Sequence, residues 1–282
     1  MPLLPRVYRE PRLCTYCGKV VPDDEQVEDE HVFGRAWWSD ASPKDEYKPQ
    51  VPSCHGCNHS LGLLEERQRQ RWALSLPSDD HPARAGIADA ALHSMNPKTD
   101  PTKPKKMDFK RKAGEHIMRK FAVIAPGEIE STMGKILGPP MAFILPDGQP
   151  KIGYPGMRVQ MEDAVAFGRK LVRGFMRYHF DLVIPPDREI EVNLHVDAKR
   201  EIVREMFDQL RAGFANPRGH KGHHLECEIG AGSLRWGVFA VDDPLAGSIW
   251  YFEVWGHIPM TAVCVDKEIA AAAERMGQGR TP

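Results

Sequence analysis

Two Cys-x-x-Cys pairs, Cys14-Thr15-Tyr16-Cys17 and Cys54-His55-Gly56-Cys57, restrict what the N-terminal part of this chain can fold into. Four thiolates at that spacing suit a closed tetrahedral zinc site, and such a site supplies folding energy to a unit too small for a large core. A redox pair is the competing reading, but no β-α-β pattern surrounds either motif. Between Cys17 and Cys54 lie 36 residues, more than an ordinary zinc ribbon holds, so the insert should carry structure of its own. Cys227 and Cys264 fall in apolar, strand-like sequence and read as buried free thiols.

Composition permits a packed core: 41% of the 282 residues are hydrophobic and 27% are charged. That length suits one large domain or two smaller ones. A formal net charge of −1 gives no global sign of nucleic-acid binding, so any such role must rest on local charge. The start, Met1-Pro2-Leu3-Leu4-Pro5-Arg6, lacks the apolar run of a signal peptide, and no segment approaches the ~18 apolar residues that span a bilayer. The expectation is a soluble, cytoplasmic protein with no membrane partner, its paired cysteines binding metal in a reducing compartment.

The pattern predicts an α+β chain in three parts. Residues 1–76 form a first unit in the order strand (Val27 to Phe33), loop, strand (Gln50 to Ser53), then a helix running from Asn58 through Leu74. Residues 77–107, punctuated by prolines, read as a Pro/Lys-rich linker with a short Ala-rich helix around Ile87 to His93. Residues 108–282 read as a second α+β unit. Its cleanest helix runs from Glu162 to Phe180, with Val165, Gly168, Leu171, Val172 and Phe175 on one face. A strand at Ile190 to Val196, a helix at Ala198 to Ala212 and three strands at about 233–241, 248–255 and 258–265 complete it, the last three as an antiparallel meander.

Between the cysteine pairs stands Glu30-His31, and Asn58 directly follows Cys57. Cleaving a phosphodiester needs an activated water and charge relief on the phosphate. A neutral imidazole can take the water's proton near pH 7, and a hard cation prefers the oxygens of a carboxylate and an amide. On a regular strand Glu30 and His31 point to opposite faces. Either a bulge or twist aims both at one metal, or His31 acts on water while Glu30 reaches round. Cys14, Cys17, Glu30-His31, Cys54, Cys57 and Asn58 together resemble the HNH endonucleases of the ββα-metal superfamily, and in particular the phage junction-resolving and EHV/EHI-type HNH proteins. The likeness covers about the first 75 residues. It implies an N-terminal zinc-bound ββα-metal domain, His31 as general base, Glu30 and Asn58 as ligands of a catalytic Mg²⁺ or Mn²⁺, and the four cysteines as ligands of a structural Zn²⁺. The implied substrate is DNA, with RNA as the alternative. One departure stands out. Many HNH proteins place an Asn about five residues before the third zinc cysteine to orient the catalytic histidine; here that position is near Pro49, and no Asn lies between His31 and Cys54. A loop carbonyl or Gln50 is left to orient His31.

Other features carry two readings each. His59 either touches the metal or phosphate or caps the helix; Glu65 and Glu66 read as solvated or paired with Arg69. From Lys98 to Lys120 there are nine Lys/Arg against three Asp/Glu, a phosphate-tracking segment or a solubilising one. Arg169, Lys170, Arg173 and Arg177 line the side of the 162–180 helix opposite its apolar face and read first as an ordinary solvated surface. The six acids of residues 22–30 read as a solvated turn, Gly219 to His224 as a Gly-rich surface loop, and Trp236, Trp250 and Trp255 as core. Alternatives to an endonuclease are a non-catalytic zinc-dependent nucleic-acid-binding module and a defence-type effector nuclease gated by a C-terminal sensor. The C-terminal part is also the expected surface for self-association or a partner protein.

Overall fold

The computed structural model describes residues 3–75, 81–96, 98, 102–118, 121–124, 141–144, 149–157, 161–195, 205–206, 208–209, 212, 222–241 and 243–266. Strand β1 (Glu28–His31) pairs antiparallel with β2 (Gln50–Ser53), with Glu28 opposite Ser53 and His31 opposite Gln50. Helix α1 (His55–Ser75) follows at once. Then come α2 (Ile87–Met95) and α3 (Pro104–Met118), the latter opening on proline, whose fixed φ and missing N–H cost nothing in a first helical turn. A three-stranded sheet follows, β3 (Phe121–Ile124), β4 (Met141–Ile144) and β5 (Pro150–Met157), with β5 in the middle. Helix α4 (Met161–Phe180) leads into a five-stranded antiparallel sheet: β6 (Ile190–Leu194), β7 (Gly222–Ile229), β8 (Leu234–Val241), β9 (Gly247–Val254) and β10 (Ile258–Val265), in the order β6-β10-β9-β8-β7.

The chain is therefore mixed helix and sheet with a C-terminal antiparallel meander, as its pattern predicts. Most of the Ala198 to Ala212 helix lies outside the described residues. Gly222–Ile229, part of which reads as surface loop, is an edge strand, because His224, Glu226 and Glu228 alternate with Leu225, Cys227 and Ile229 to give a period of two. The meander's last turn places Trp255 (φ 52°) and Gly256 (φ 59°) in the left-handed region, as tight hairpins require. A tryptophan is strained there, and its indole is tied down by donating to the Trp37 carbonyl at 2.7 Å.

That bond belongs to a core that runs without a break across the expected domain boundary. Trp37 stacks on Phe167 (4.5 Å between ring centroids) and on Trp255 (4.9 Å), and meets Trp72 edge-on. Trp236, Trp250 and Trp255 are all core residues. Helix α4 lies between β1–β2 and the large sheet, and more than half of its residues are buried. Its basic residues do not form one solvated stripe, since of the four only Arg169 is exposed. Lys170 and Arg177 are fully buried. Arg169 donates to the Ile190 carbonyl (2.9 Å), Arg173 to those of Ile184 and Pro185, and Arg177 to that of Glu10 (2.7 Å). These guanidinium groups tie the helix to the start of β6 and to the chain around Glu10 and Ile184–Pro185 through backbone carbonyls.

Candidate functional site

The four cysteines converge. Their Sγ atoms all lie within 4.8 Å of one another, and Cys17 and Cys54 are 3.9 Å apart. Four thiolates about 2.3 Å from one tetrahedral ion would be about 3.8 Å apart. The first knuckle is closed by Gly18 in the left-handed region (φ 67°), whose N–H donates to the Cys14 carbonyl at 3.0 Å. It is sewn to the hairpin by the Thr15 N–H to the Pro52 carbonyl, at 2.9 Å. The second knuckle is the first turn of α1, with the Asn58 N–H bonded to the Cys54 carbonyl. Burial would raise the Cys14 thiol, but backbone N–H groups of Cys17, Cys54 and Tyr16 outweigh it and bring it down to about 7. Burial, and then the negative charge of Cys14, push Cys57 well above an ordinary thiol. A cation among the four sulfurs removes that conflict, so the donor set fits a metal ion.

The cysteine frame fixes the start of α1 against β1. Asn58 donates its side-chain amide to the Glu28 carboxylate, and the other Glu28 oxygen meets His55 Nδ1 at 2.7 Å. These two bonds, the imidazole first, hold Glu28 below the usual carboxylate range. His59 stacks beside His55 at 6.2 Å between ring centroids. Glu30 is two residues along the same strand face but goes elsewhere. Its carboxylate is buried and ion-paired with Lys170 Nζ at 2.5 Å. Glu65 is not solvated either: it is buried, with Lys170 Nζ at 2.7 Å and the Gly34 N–H at 3.2 Å. Burial, more than these partners can offset, raises its carboxyl. Glu66 does pair with Arg69, at 3.0 Å.

His31 points to the other face of β1, because the β1–β2 register is regular and contains no bulge to turn it. It lines a cleft of about 390 Å³ with Arg35, Asp45, Glu46, Tyr47, Lys48 and Gln50. Its Nε2 accepts from Arg35 Nε at 2.6 Å, and its Nδ1 is buried without a well-formed hydrogen bond. Burial, then the positive charges of Arg35, Lys170 and Lys48, lower its pKa to about 4; the Lys48 backbone pulls the other way. The imidazole is thus neutral at pH 7 and has cations around it. Lys48, the residue before the proline-occupied position, is the backbone that faces the ring, while Gln50 lies alongside.

The structure thus brings the cysteines together, joins Asn58 and His55 each to Glu28, and sets His31 among Arg35 and Lys48. Among the described residues no hydrogen bond or ion pair links Glu30 with Asn58. No protein family, no curated protein and no solved structure matches the chain. Sequence reasoning passed over Glu28, hidden in an acidic run, and over Arg35, which stands four residues after His31 across a turn. Lys170 was legible in principle, since it lies one helical turn from both Phe167 and Gly174 and so borders the buried arc of α4. No helix of the described residues is long and apolar enough to cross a membrane.

Proposed function

We propose that this protein is an HNH-type endonuclease that hydrolyses phosphodiester bonds in DNA, with a structural zinc on Cys14, Cys17, Cys54 and Cys57. The observation that carries the reading is the β1–β2–α1 arrangement clamped by the four-cysteine cluster, with His31 ending the first strand and Asn58 in the first turn of the helix. His31 acts as general base. Its neutral ring can accept a proton from water at physiological pH, and such a base contributes about 10²- to 10⁴-fold. Arg35 and Lys48 supply positive charge to a phosphate in the cleft. When a phosphate draws Arg35 away, Nε2 of His31 is free to accept the proton. Asn58 belongs to the ligand set of the catalytic divalent ion, Mg²⁺ or Mn²⁺. The resemblance gives the accompanying carboxylate as Glu30; in our reading Glu28 takes that place, a choice supported by its contact with Asn58 and by the ion pair that Glu30 already makes with Lys170. Because Glu28 lies on the face of β1 opposite His31, an ion held there would supply Lewis-acid stabilisation to a phosphodiester that reaches from the His31 cleft round the strand to Glu28 and Asn58.

A second reading is a nucleic-acid-binding module without hydrolysis. What favours it is that both side chains of the Glu-His pair already have internal cationic partners, Lys170 and Arg35. One experiment separates the two. The full chain is incubated with supercoiled plasmid and Mg²⁺ or Mn²⁺, with EDTA as control, beside His31→Ala. The nuclease reading expects nicked or linear DNA from wild type, at least about 100-fold less from the variant, and equal DNA affinity. Binding without cleavage in every metal would favour the module.

A further inference from the structure

Lys170 is the most completely buried cation in the described structure, with none of its side chain exposed. It comes from α4, far along the chain from the cysteine frame, yet all three of its acceptors belong to that frame. Nζ lies 2.5 Å from Glu30 Oε1, 2.7 Å from Glu65 Oε1 and 2.8 Å from the His31 carbonyl oxygen. An ammonium has three donors, and here each has one acceptor.

Those acceptors bracket the residue placed as the base. Lys170 holds the carbonyl of His31 and the side chain immediately before it. Through Glu65 it reaches the Gly34 N–H, three residues further on. Arg35, the next residue, is the one that bonds His31 Nε2. The backbone from Glu30 to Gly34 is therefore pinned at both ends by one buried charge cluster. Two glycines make room for the pinning. A methyl group at Gly34 would sit 2.5 Å from Glu65 Oε2, and one at Gly174, a turn beyond Lys170 on α4, would sit 2.6 Å from Val32 Cγ1. Helix α4 approaches the base-bearing segment closely because Gly174 has no side chain, and Gly34 leaves room for the Glu65 carboxylate of α1. A buried ion cluster is weak evidence for stability, since desolvating three charges offsets most of their attraction, but it does impose one geometry on the groups it joins.

We infer that Lys170 is a positioning residue for the proposed hydrolytic site, holding Glu30, Glu65 and the His31 carbonyl so that the imidazole is presented to the cleft from a fixed strand end. The C-terminal part of the chain then completes the site instead of merely accompanying it. The inference rests on the nuclease reading for the reaction it serves, while the pinning itself can be measured without any reaction.

The test uses the full chain as wild type, Lys170→Met, Lys170→Arg and Glu65→Gln. Lys170→Met keeps the length and apolar stem but removes the charge; Glu65→Gln keeps the shape and serves if the methionine variant does not fold. Plasmid cleavage should show kcat lower by about 10- to 100-fold in Lys170→Met with KM unchanged, since small misplacement of a catalytic group costs that much. Lys170→Arg should recover part of the loss. Amide hydrogen exchange should rise over residues 30–35 in Lys170→Met and Glu65→Gln while α2 and the meander keep their protection. Unchanged kcat, a loss confined to KM, or exchange that rises uniformly or not at all would overturn the inference. Wild type that cleaves no DNA while residues 30–35 still loosen in the variants would sink the nuclease reading and, with it, the positioning role, but leave the pinning in place.

Discussion

At the scale of single residues, His31 and Glu28 carry the chemistry that can be tested first. The His31 ring has a pKa lowered to about 4, by burial first and then by Arg35, Lys170 and Lys48. A lowered value means that the neutral, proton-accepting form persists as pH falls. If His31 is the base, the acid limb of kcat/KM for the free protein lies near pH 4, well below the ~6.5 of an ordinary histidine. Arg35 is the leading charge in that shift, so Arg35→Gln moves the limb toward higher pH. A pH–rate profile of the two proteins checks the sign; a limb that stays put, or moves down, means that protonation of another group governs the rate. The metal ligands separate in a titration. Glu28→Gln and Asn58→Ala should weaken Mn²⁺ binding, followed by electron paramagnetic resonance, because each removes an oxygen from a set that has few. Glu30→Gln should leave binding close to wild type, since that carboxylate faces Lys170. The reverse pattern would return the role to Glu30, as the motif has it.

At the scale of elements, helix α4 decides how closely the two parts of the chain meet. Replacing Gly174 with alanine favours the helix by up to about 1 kcal/mol. The added methyl would lie 2.6 Å and 3.0 Å from the two Val32 methyl carbons, and such overpacking costs about 1–3 kcal/mol. The clash should win, so thermal and denaturant unfolding should show a net loss in Gly174→Ala. Adding Val32→Ala should restore part of that loss, because the second change vacates the space. Simple additivity of the two would mean that the helix and strand do not press on each other. The same helix shows where sequence reading stops. Its ends, its buried Leu171 and Phe175, the β1–β2–α1 order and the closing meander all follow from periods of 3.6 and 2 and from turn residues. The convergence of the four cysteines follows from their spacing alone. What does not follow is which charges are buried. Lys170, Arg173 and Arg177 read as solvent-facing on a helical wheel that allows one neighbour. In fact α4 has neighbours on several sides, and long cationic side chains can be buried wherever carboxylates or loop carbonyls receive them. The middle sheet of β3, β4 and β5 also escaped, because Pro150, Gly153, Pro155 and Gly156 break up the pattern of its central strand.

At the scale of the whole molecule, one core joins the cysteine frame to the meander, and this determines what losing the metal should do. Residues 1–76 read from sequence as a first unit that draws folding energy from its zinc site, and such a unit, if independent, would unfold by itself when stripped of zinc. The contacts argue for a different outcome. Val32, Phe33, Trp37 and Trp72 share their core with Phe167, Trp236 and Trp255, and Trp37 alone stacks on partners from both α4 and the β9–β10 turn. Loosening the first knuckle frees Thr15 from Pro52, then the hairpin, and then the aromatic stack on which the large sheet rests. Structural zinc contributes folding free energy directly, and about 1 kcal/mol shifts the midpoint of a chain of this size by roughly 2–4 °C. A thiol-competing zinc chelator should therefore lower the melting temperature of the entire chain by about 10 °C or more. Tryptophan fluorescence and far-ultraviolet circular dichroism should be lost in one coincident transition. Trp37→Ala in metal-loaded protein provides the companion measurement. Removing a fully buried tryptophan costs about 3–5 kcal/mol, and if the core is one body that loss destabilises the meander as much as the hairpin. Should the chelated protein instead melt in two steps, with the sheet signal surviving at its original temperature, the parts would be independent domains in contact. Lys170 would then bridge two bodies and not lie within one.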